Sequence, residues 1–285
     1  MENAIQIKNL SKEYKDFSLK NITLNIPEGT VMGLVGANGA GKSTLLQSLL
    51  GVITSDYDEV KILGKDMRGE ERKIKEEIAV IFDASHYSLQ YTPKFIGKFL
   101  SKIYQNWDME KYNEYLTRFQ LPADKKLKKF SKGMKMKLEF AIAFSHDPKV
   151  LILDEATSGL DPIFRDEILE LIREFTVEEN HTVLLSSHIT SDLDKIADYI
   201  AFIHEGELQF VKTYDEIQDN YGILHCGQDF FDTLRDEDIV SFKKEAYEYK
   251  VLVKNKSEIR NVFPELEMEK ASIEDIMLFY VKGEV

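Results

Sequence analysis

This sequence predicts an α/β fold. A mostly parallel sheet with flanking helices is expected, with an N-terminal antiparallel β layer, a helical subdomain and a small C-terminal α+β appendage. Three observations carry that prediction. Short apolar runs at 31–35, 150–153 and 182–185 read as strands, the last two as strands buried on both faces. Helical patterns fill the chain between the two later runs. The composition, 43% hydrophobic and 31% charged over 285 residues, is globular, with length for one large domain and a small one.

From the N-terminus, residues 5–7 and 22–26 alternate apolar with polar, the period-two signature of half-buried strands. Pro27-Glu28-Gly29 is the turn into the run 31–35, and 60–63 and 78–82 read as further strands. From Pro93 the period changes. Phe95, Ile96, Phe99, Leu100, Ile103 and Tyr104 fall at i, i+3, i+4 spacing, as do Leu116 and Phe119, and most of these side chains are expected in the core. Residues 199–212 read as a hairpin turning at Glu205-Gly206. Beyond Gly222, Tyr247, Tyr249, Val251 and Val253 suggest a strand, and Ile273, Ile276, Met277 and Tyr280 an amphipathic helix. The expected division is 1–221 as the main domain, with its helical subdomain at about 84–146, and 222–285 as a small accessory domain.

Residues 36–44 read Gly-Ala-Asn-Gly-Ala-Gly-Lys-Ser-Thr and fit G-x-x-x-x-G-K-[ST], the loop that wraps the phosphates of a nucleoside triphosphate. A strand-like run precedes it and a helix-like run, 45–50, follows, which is the setting of a P-loop NTPase core. Gly36, Gly39 and Gly41 let the backbone approach phosphate closely. With Asn38, Ala40 and Thr44 they complete a loop whose consecutive N–H groups form an anion nest at a helix N-terminus. Lys42 is expected to reach the β- and γ-phosphates, and Ser43 to offer its hydroxyl to Mg²⁺.

Asp154-Glu155 closes the run 150–153, at the carboxyl edge of the expected sheet, where α/β proteins bind ligands. Asp154 is expected to hold Mg²⁺ directly or through water, and Glu155 to orient or deprotonate the attacking water. Ser131 and Gly133 open a helix expected over 134–144. Its free N–H groups make a second anion site, beyond the cradle that phosphate already has.

The order of elements (phosphate loop, Ser131-Lys132-Gly133-Met134-Lys135, the 150–155 strand, Ser158-Gly159-Leu160-Asp161, His188) resembles the ATP-binding cassette family over about residues 3–215. These are the nucleotide-binding subunits of ABC transporters. The resemblance implies two cassettes paired head to tail, each ATP held between one subunit's phosphate loop and the other's signature. Ser131 and Gly133 then contact the γ-phosphate bound by the partner chain. The same resemblance assigns Asp161 to communication across the pair and gives His188 contact with the γ-phosphate and the catalytic water. Tyr14 falls where the family stacks an aromatic ring on adenine, with Phe17 as a nearby alternative. The implied cofactors are ATP and Mg²⁺. The implied partners are a separate transmembrane subunit and a second nucleotide-binding subunit, identical or different.

Two departures stand out. The family signature often reads Leu-Ser-Gly-Gly-Gln; here Lys132 and Met134 replace the middle Gly and the Gln, and this version resembles separate-chain exporters of antibiotics and peptides in Gram-positive bacteria. After 78–82 the family places a Gln that touches Mg²⁺ and senses the membrane subunit; this chain has Asp83, a shorter ligand that adds negative charge. The Phe82-Asp83 pair is similar to that of ATPases exporting phenol-soluble modulins, which makes a cytolytic amphipathic peptide the expected cargo. The motifs also fit an importer subunit, although the signature leans to export. A soluble cassette acting on DNA or ribosomes fits less well. DNA-acting relatives separate their two ATP motifs by long coiled coils, and fewer than a hundred residues lie between Thr44 and Ser131.

Net charge is −13, which argues against a nucleic-acid partner and against general adhesion to an anionic membrane. The Lys-rich stretch 125–137 reads as a solvated helix flank, with positive potential near the triphosphate or contact with lipid head groups as alternatives. The single cysteine, Cys226, leaves no internal disulfide and suits a reducing cytosol as a small buried residue. The N-terminus shows no signal-peptide h-region, and no apolar run approaches the ~18 residues of a spanning helix. The expected location is the cytoplasm, peripheral on the inner face of the membrane through the transmembrane subunit.

Overall fold

The structure, a computed structural model, describes residues 2–82, 87–177, 180–245, 248–263 and 266–284. Among these residues the strands form three sheets. The N-terminal layer is antiparallel, in the order β2 (Ser18–Pro27), β1 (Asn3–Glu13), β4 (Glu59–Ile62), β5 (Lys65–Asp66). The period-two pattern decides its faces: Ile5, Ile7, Ile22, Leu24 and Ile26 are buried while Gln6, Thr23 and Asn25 point away.

The central sheet runs β10 (Glu207–Thr213), β9 (Tyr199–His204), β3 (Val31–Val35), β8 (Thr182–Ser186), β7 (Val150–Asp154), β6 (Ile78–Ile81). Every neighbouring pair is parallel except β9–β10. That hairpin turns at Glu205 (φ 46°) and Gly206 (φ 78°), two left-handed residues whose twist suits a two-residue connection. The apolar runs that predicted β3, β7 and β8 are buried along their whole lengths. Ser186 lies opposite Asp154 on one side and Leu34 on the other, so the ends of β3, β7 and β8 are flush at the carboxyl edge. This is the α/β architecture that the sequence predicts.

Two apolar layers sandwich the central sheet. On one side α1 (Lys42–Leu49) buries Leu45, Leu46 and Leu49 between the N-terminal layer and Met32, Leu34, Ile152 and Ile203. The helix α2 (Met67–Glu77), broken near its start by Gly69, adds Ile74 to the same layer. On the other side lie α3 (Pro93–Leu100), α4 (Met109–Arg118), α5 (Lys132–Ala143), α6 (Pro162–Val177) and α7 (Thr190–Ile196). Thr92 caps α3, with Pro93 at its first position, and Asp108 caps α4. Phe119 and Phe140 meet Phe164 edge to face, tying α4 and α5 to α6.

The residues expected in the core from 95 to 119 divide: Leu116 and Phe119 are buried and Tyr104 packs on the core. Of the six periodic residues from Phe95 to Tyr104, only Ile96 and Leu100 are fully buried, while Phe95, Phe99 and Ile103 are about half exposed. A helix on the rim of the core needs one apolar face. The Phe95 ring instead stacks outward, between Tyr91 at 4.6 Å and Phe99 at 6.4 Å.

After α8 (Tyr214–Asn220) comes the third sheet, antiparallel throughout: β12 (Ile239–Lys244), β13 (Tyr249–Val253), β11 (Gly222–Cys226), β14 (Met268–Lys270). The helices α9 (Gln228–Phe231), α10 (Lys256–Val262) and α11 (Ile273–Lys282) surround it. Tyr247 of the expected strand lies outside the described residues. Cys226 is buried and free. Ile223, Leu252, Ile276 and Phe279 join the same apolar cluster as Phe202 of β9, and the Tyr280 ring packs on Phe202 and Phe210. The third sheet therefore shares a core with the central one. No helix among the described residues is long and apolar enough to cross a membrane.

Candidate active site

The loop between β3 and α1 passes close beneath the β9–β10 hairpin. A Cβ on Gly36 would stand 2.4 Å from the Ile203 carbonyl oxygen, so only glycine fits. Gly41, at the N-terminus of α1, has φ 112°, a conformation open to glycine. Lys42, 5% exposed, folds over the loop and donates to the carbonyls of Gly36 (2.8 Å) and Ala37 (3.3 Å).

The partners of this loop come from the neighbouring strand ends. Ser43 donates to Asp154 Oδ1 at 3.1 Å, and Ser186 donates to the same oxygen at 2.7 Å. The N–H of Glu155 is shared by the Ser186 carbonyl (3.2 Å) and hydroxyl (3.1 Å). Those bonds hold Glu155 at φ 54°, a conformation that costs a non-glycine residue about 1–2 kcal/mol. The resulting turn sends its carboxylate across the cavity. Oε1 lies 3.4 Å from Lys42 Nζ, and Oε2 is in direct contact with His188 Nδ1.

These groups line a cavity of about 770 Å³ together with Tyr14, Asn38, Gly39, Gly41 and Thr44. Ala40 is buried behind the loop and receives the Gly206 N–H on its carbonyl. Tyr14, half exposed at the mouth, has Phe17 at 6.5 Å between ring centroids. Sequence reasoning gave no role to Asp16 or Ser186, and it named Ser158 only within the motif that ends at Asp161. Ser186 carried a readable signal, because it ends a buried apolar run just as Asp154 does.

Ser131, Gly133 and Asp161 belong neither to the phosphate loop nor to the cavity lining. Ser131 is exposed and caps α5, accepting the Met134 N–H at 3.1 Å, and Gly133 lies in the first turn. Asp161 caps α6, accepting the Phe164 N–H at 3.0 Å. Asp83 lies outside the described residues.

The donor set suits a triphosphate with a hard divalent cation. Asp16, Asp154 and Glu155 line the cavity against the single lysine. A polyanion beside these carboxylates needs a further positive charge, and Ser43 with Asp154 presents oxygens of the kind that Mg²⁺ shares with substrate phosphates.

Comparison with known proteins decides the family. The family model described as ABC transporter matches residues 19–158. The lantibiotic transport ATP-binding protein SrtF of Streptococcus pyogenes is 38% identical over 219 residues, covering 74% of this chain and 91% of SrtF. This chain belongs to the ABC transporter ATP-binding family. The bacitracin transport ATP-binding protein BcrA of Bacillus licheniformis is 32% identical, over 76% of this chain and 72% of BcrA. A solved structure of an ATP-binding subunit of an ABC transporter superposes with TM-score 0.69 at 26% identity, over 75% of this chain and 92% of that one. As an ABC ATP-binding subunit the chain binds ATP and is an ATPase of a transport system. The family resemblance read from its motifs is borne out.

Proposed function

We propose that this ABC subunit powers export of a peptide or amphipathic antimicrobial compound through a separate membrane subunit. It works as one of a pair of nucleotide-binding subunits, identical or different, that close on two ATP molecules. The observation that carries the pairing is the position of Ser131 and Gly133. They form a helix start, exposed at Ser131 and half-buried at Gly133, outside the chain's own phosphate cavity, which is what a contribution to a partner's nucleotide requires. The cargo class rests on SrtF and BcrA, which are described as lantibiotic and bacitracin transport proteins. The working location in this reading is the inner face of the membrane.

In this reading the loop N–H groups and Lys42 bind the phosphates, and Tyr14 faces the adenine. Ser43 and Asp154 hold Mg²⁺, which supplies positive charge to the β- and γ-phosphate oxygens when bound. Glu155 accepts a proton from the attacking water at Oε2 or Oε1, and His188 keeps that carboxylate turned toward the γ-phosphate. Asp161 joins the interface between the two subunits. Residues 1–221 form the cassette and 222–285 an accessory unit built onto it. Reconstitution with the membrane subunit in vesicles tests the proposal: ATP-dependent accumulation of a cationic amphipathic peptide inside inverted vesicles is expected. ATPase activity with no peptide movement in either direction would remove the cargo assignment.

A further inference from the structure

Asp161 and His188 stand at the entrances of two neighbouring helices. Asp161 caps α6, and its carbonyl accepts the Arg165 N–H at 2.9 Å. His188 stands two residues before α7, where the Ile189 N–H donates to Ser187 Oγ at 2.9 Å. One turn into α6 and in the first turn of α7, Arg165 and Asp192 meet. Arg165 Nε donates to Asp192 Oδ1 at 2.7 Å, Nη2 lies 2.6 Å from the same oxygen, and Nη2 reaches Ser191 Oγ at 3.4 Å.

Asp192 is 2% exposed, so its carboxylate depends on that guanidinium. Among the described residues two other polar links join the helices. Lys195 to Asp166 (2.8 Å) is an exposed pair, and Arg173 donates to the Lys195 carbonyl (2.7 Å) farther along α6. Exposed ion pairs fix little, because water competes for both partners. The buried carboxylate is the stiff link, and it sits nearest His188.

We propose that Arg165 is a positioning residue for hydrolysis. Through Asp192 it fixes the first turn of α7 and so the His188–Glu155 contact, and it makes that contact follow any movement of the Asp161 segment. The proposal rests on the roles given above to Glu155 and His188.

The test compares Arg165→Gln, Arg165→Lys and the paired variant Arg165→Gln/Asp192→Asn, whose neutral partners leave no buried charge unpaired. In the paired variant ATP affinity should stay within about twofold while kcat falls about tenfold or more, as misplacement of a catalytic group predicts. Arg165→Lys should recover part of the loss. In a His188→Ala background, breaking the pair should add nothing, because Arg165 acts through that side chain. A kcat within about twofold of the parent in the paired variant, or full additivity with His188→Ala, overturns the proposal. Glu155→Gln is measured alongside. If it turns over at the parent rate, the reading of the site fails and this inference with it; if it is inactive and the Arg165 variants are not, the inference alone fails.

Discussion

The hydroxyl of Ser43 donates to Asp154 Oδ1 across 3.1 Å, although 111 positions separate the two residues in the chain. Strand order makes this possible. β8 lies between β3 and β7, and the flush ends of the three strands put the phosphate loop beside the acid.

Ser186 completes that arrangement, being hydrogen-bonded to both Asp154 and Glu155. Ser186→Ala is expected to leave the fold intact and to lower kcat/KM about tenfold, the worth of one hydrogen bond to a charged group. Titration of ATPase rate against Mg²⁺ should show the loss, with the midpoint moved to higher Mg²⁺. An unchanged midpoint and rate would mean that Asp154 needs no such support.

Glu155 holds a strained backbone conformation and contacts both Lys42 and His188. Glu155→Gln keeps the size of the side chain and removes its basicity. ATP binding should persist while turnover drops about 100-fold or more, the usual contribution of a general base. Phosphate release at the parent rate by this variant would take Glu155 out of that role.

Much of this was legible in the sequence because it is local. The phosphate loop, the acids ending β7 and the β9–β10 turn each occupy a few consecutive residues. Strand order was not, because it depends on pairings between distant segments. The partnership of Ser186 with Asp154 exists only through the β7–β8 register. Periodicity marks apolar positions without saying which of two faces meets the core, and it did not separate the exposed Phe95 and Phe99 from the buried Ile96 and Leu100. The packing of Ile223 and Phe279 into the main apolar cluster, beside a second cluster around Leu224 and Val251, likewise joins distant segments that no local pattern displays.

That shared core predicts a stability effect. Tyr280 packs on Phe202 and Phe210, and burial pushes its hydroxyl up to about 12. Tyr280→Ala should destabilise the whole chain by about 2 kcal/mol, less than truncation of a fully buried aromatic because the ring is only half buried. Urea unfolding should remain one transition, shifted to lower concentration. A second, separate transition confined to the appendage would show that the two parts fold independently.

His146 gives stability a pH dependence. Burial pushes its imidazole down from 6.5 to about 4, and its ring stacks on Tyr104 at 4.1 Å. Between those values the unfolded chain takes up a proton that the folded chain refuses. Stability from this residue is therefore complete above pH 6.5 and falls as pH drops toward 4, by about 2 kcal/mol at pH 5. His146→Phe keeps the stacked ring and removes the titration. Its unfolding free energy should fall less between pH 7 and pH 5 than the parent's, and equal falls would contradict the assignment.

Pairing is tested most directly by mixing two disabled chains. One carries Lys42→Ala; the other carries Ser131→Ala with Gly133→Glu. Each alone should hydrolyse ATP poorly. Mixed, they should regain activity, because a mixed pair contains one phosphate loop with an intact Lys42 facing one intact signature. If the Ser131/Gly133 variant alone hydrolyses ATP at the parent rate, each chain completes its own pocket and the account of paired subunits is wrong.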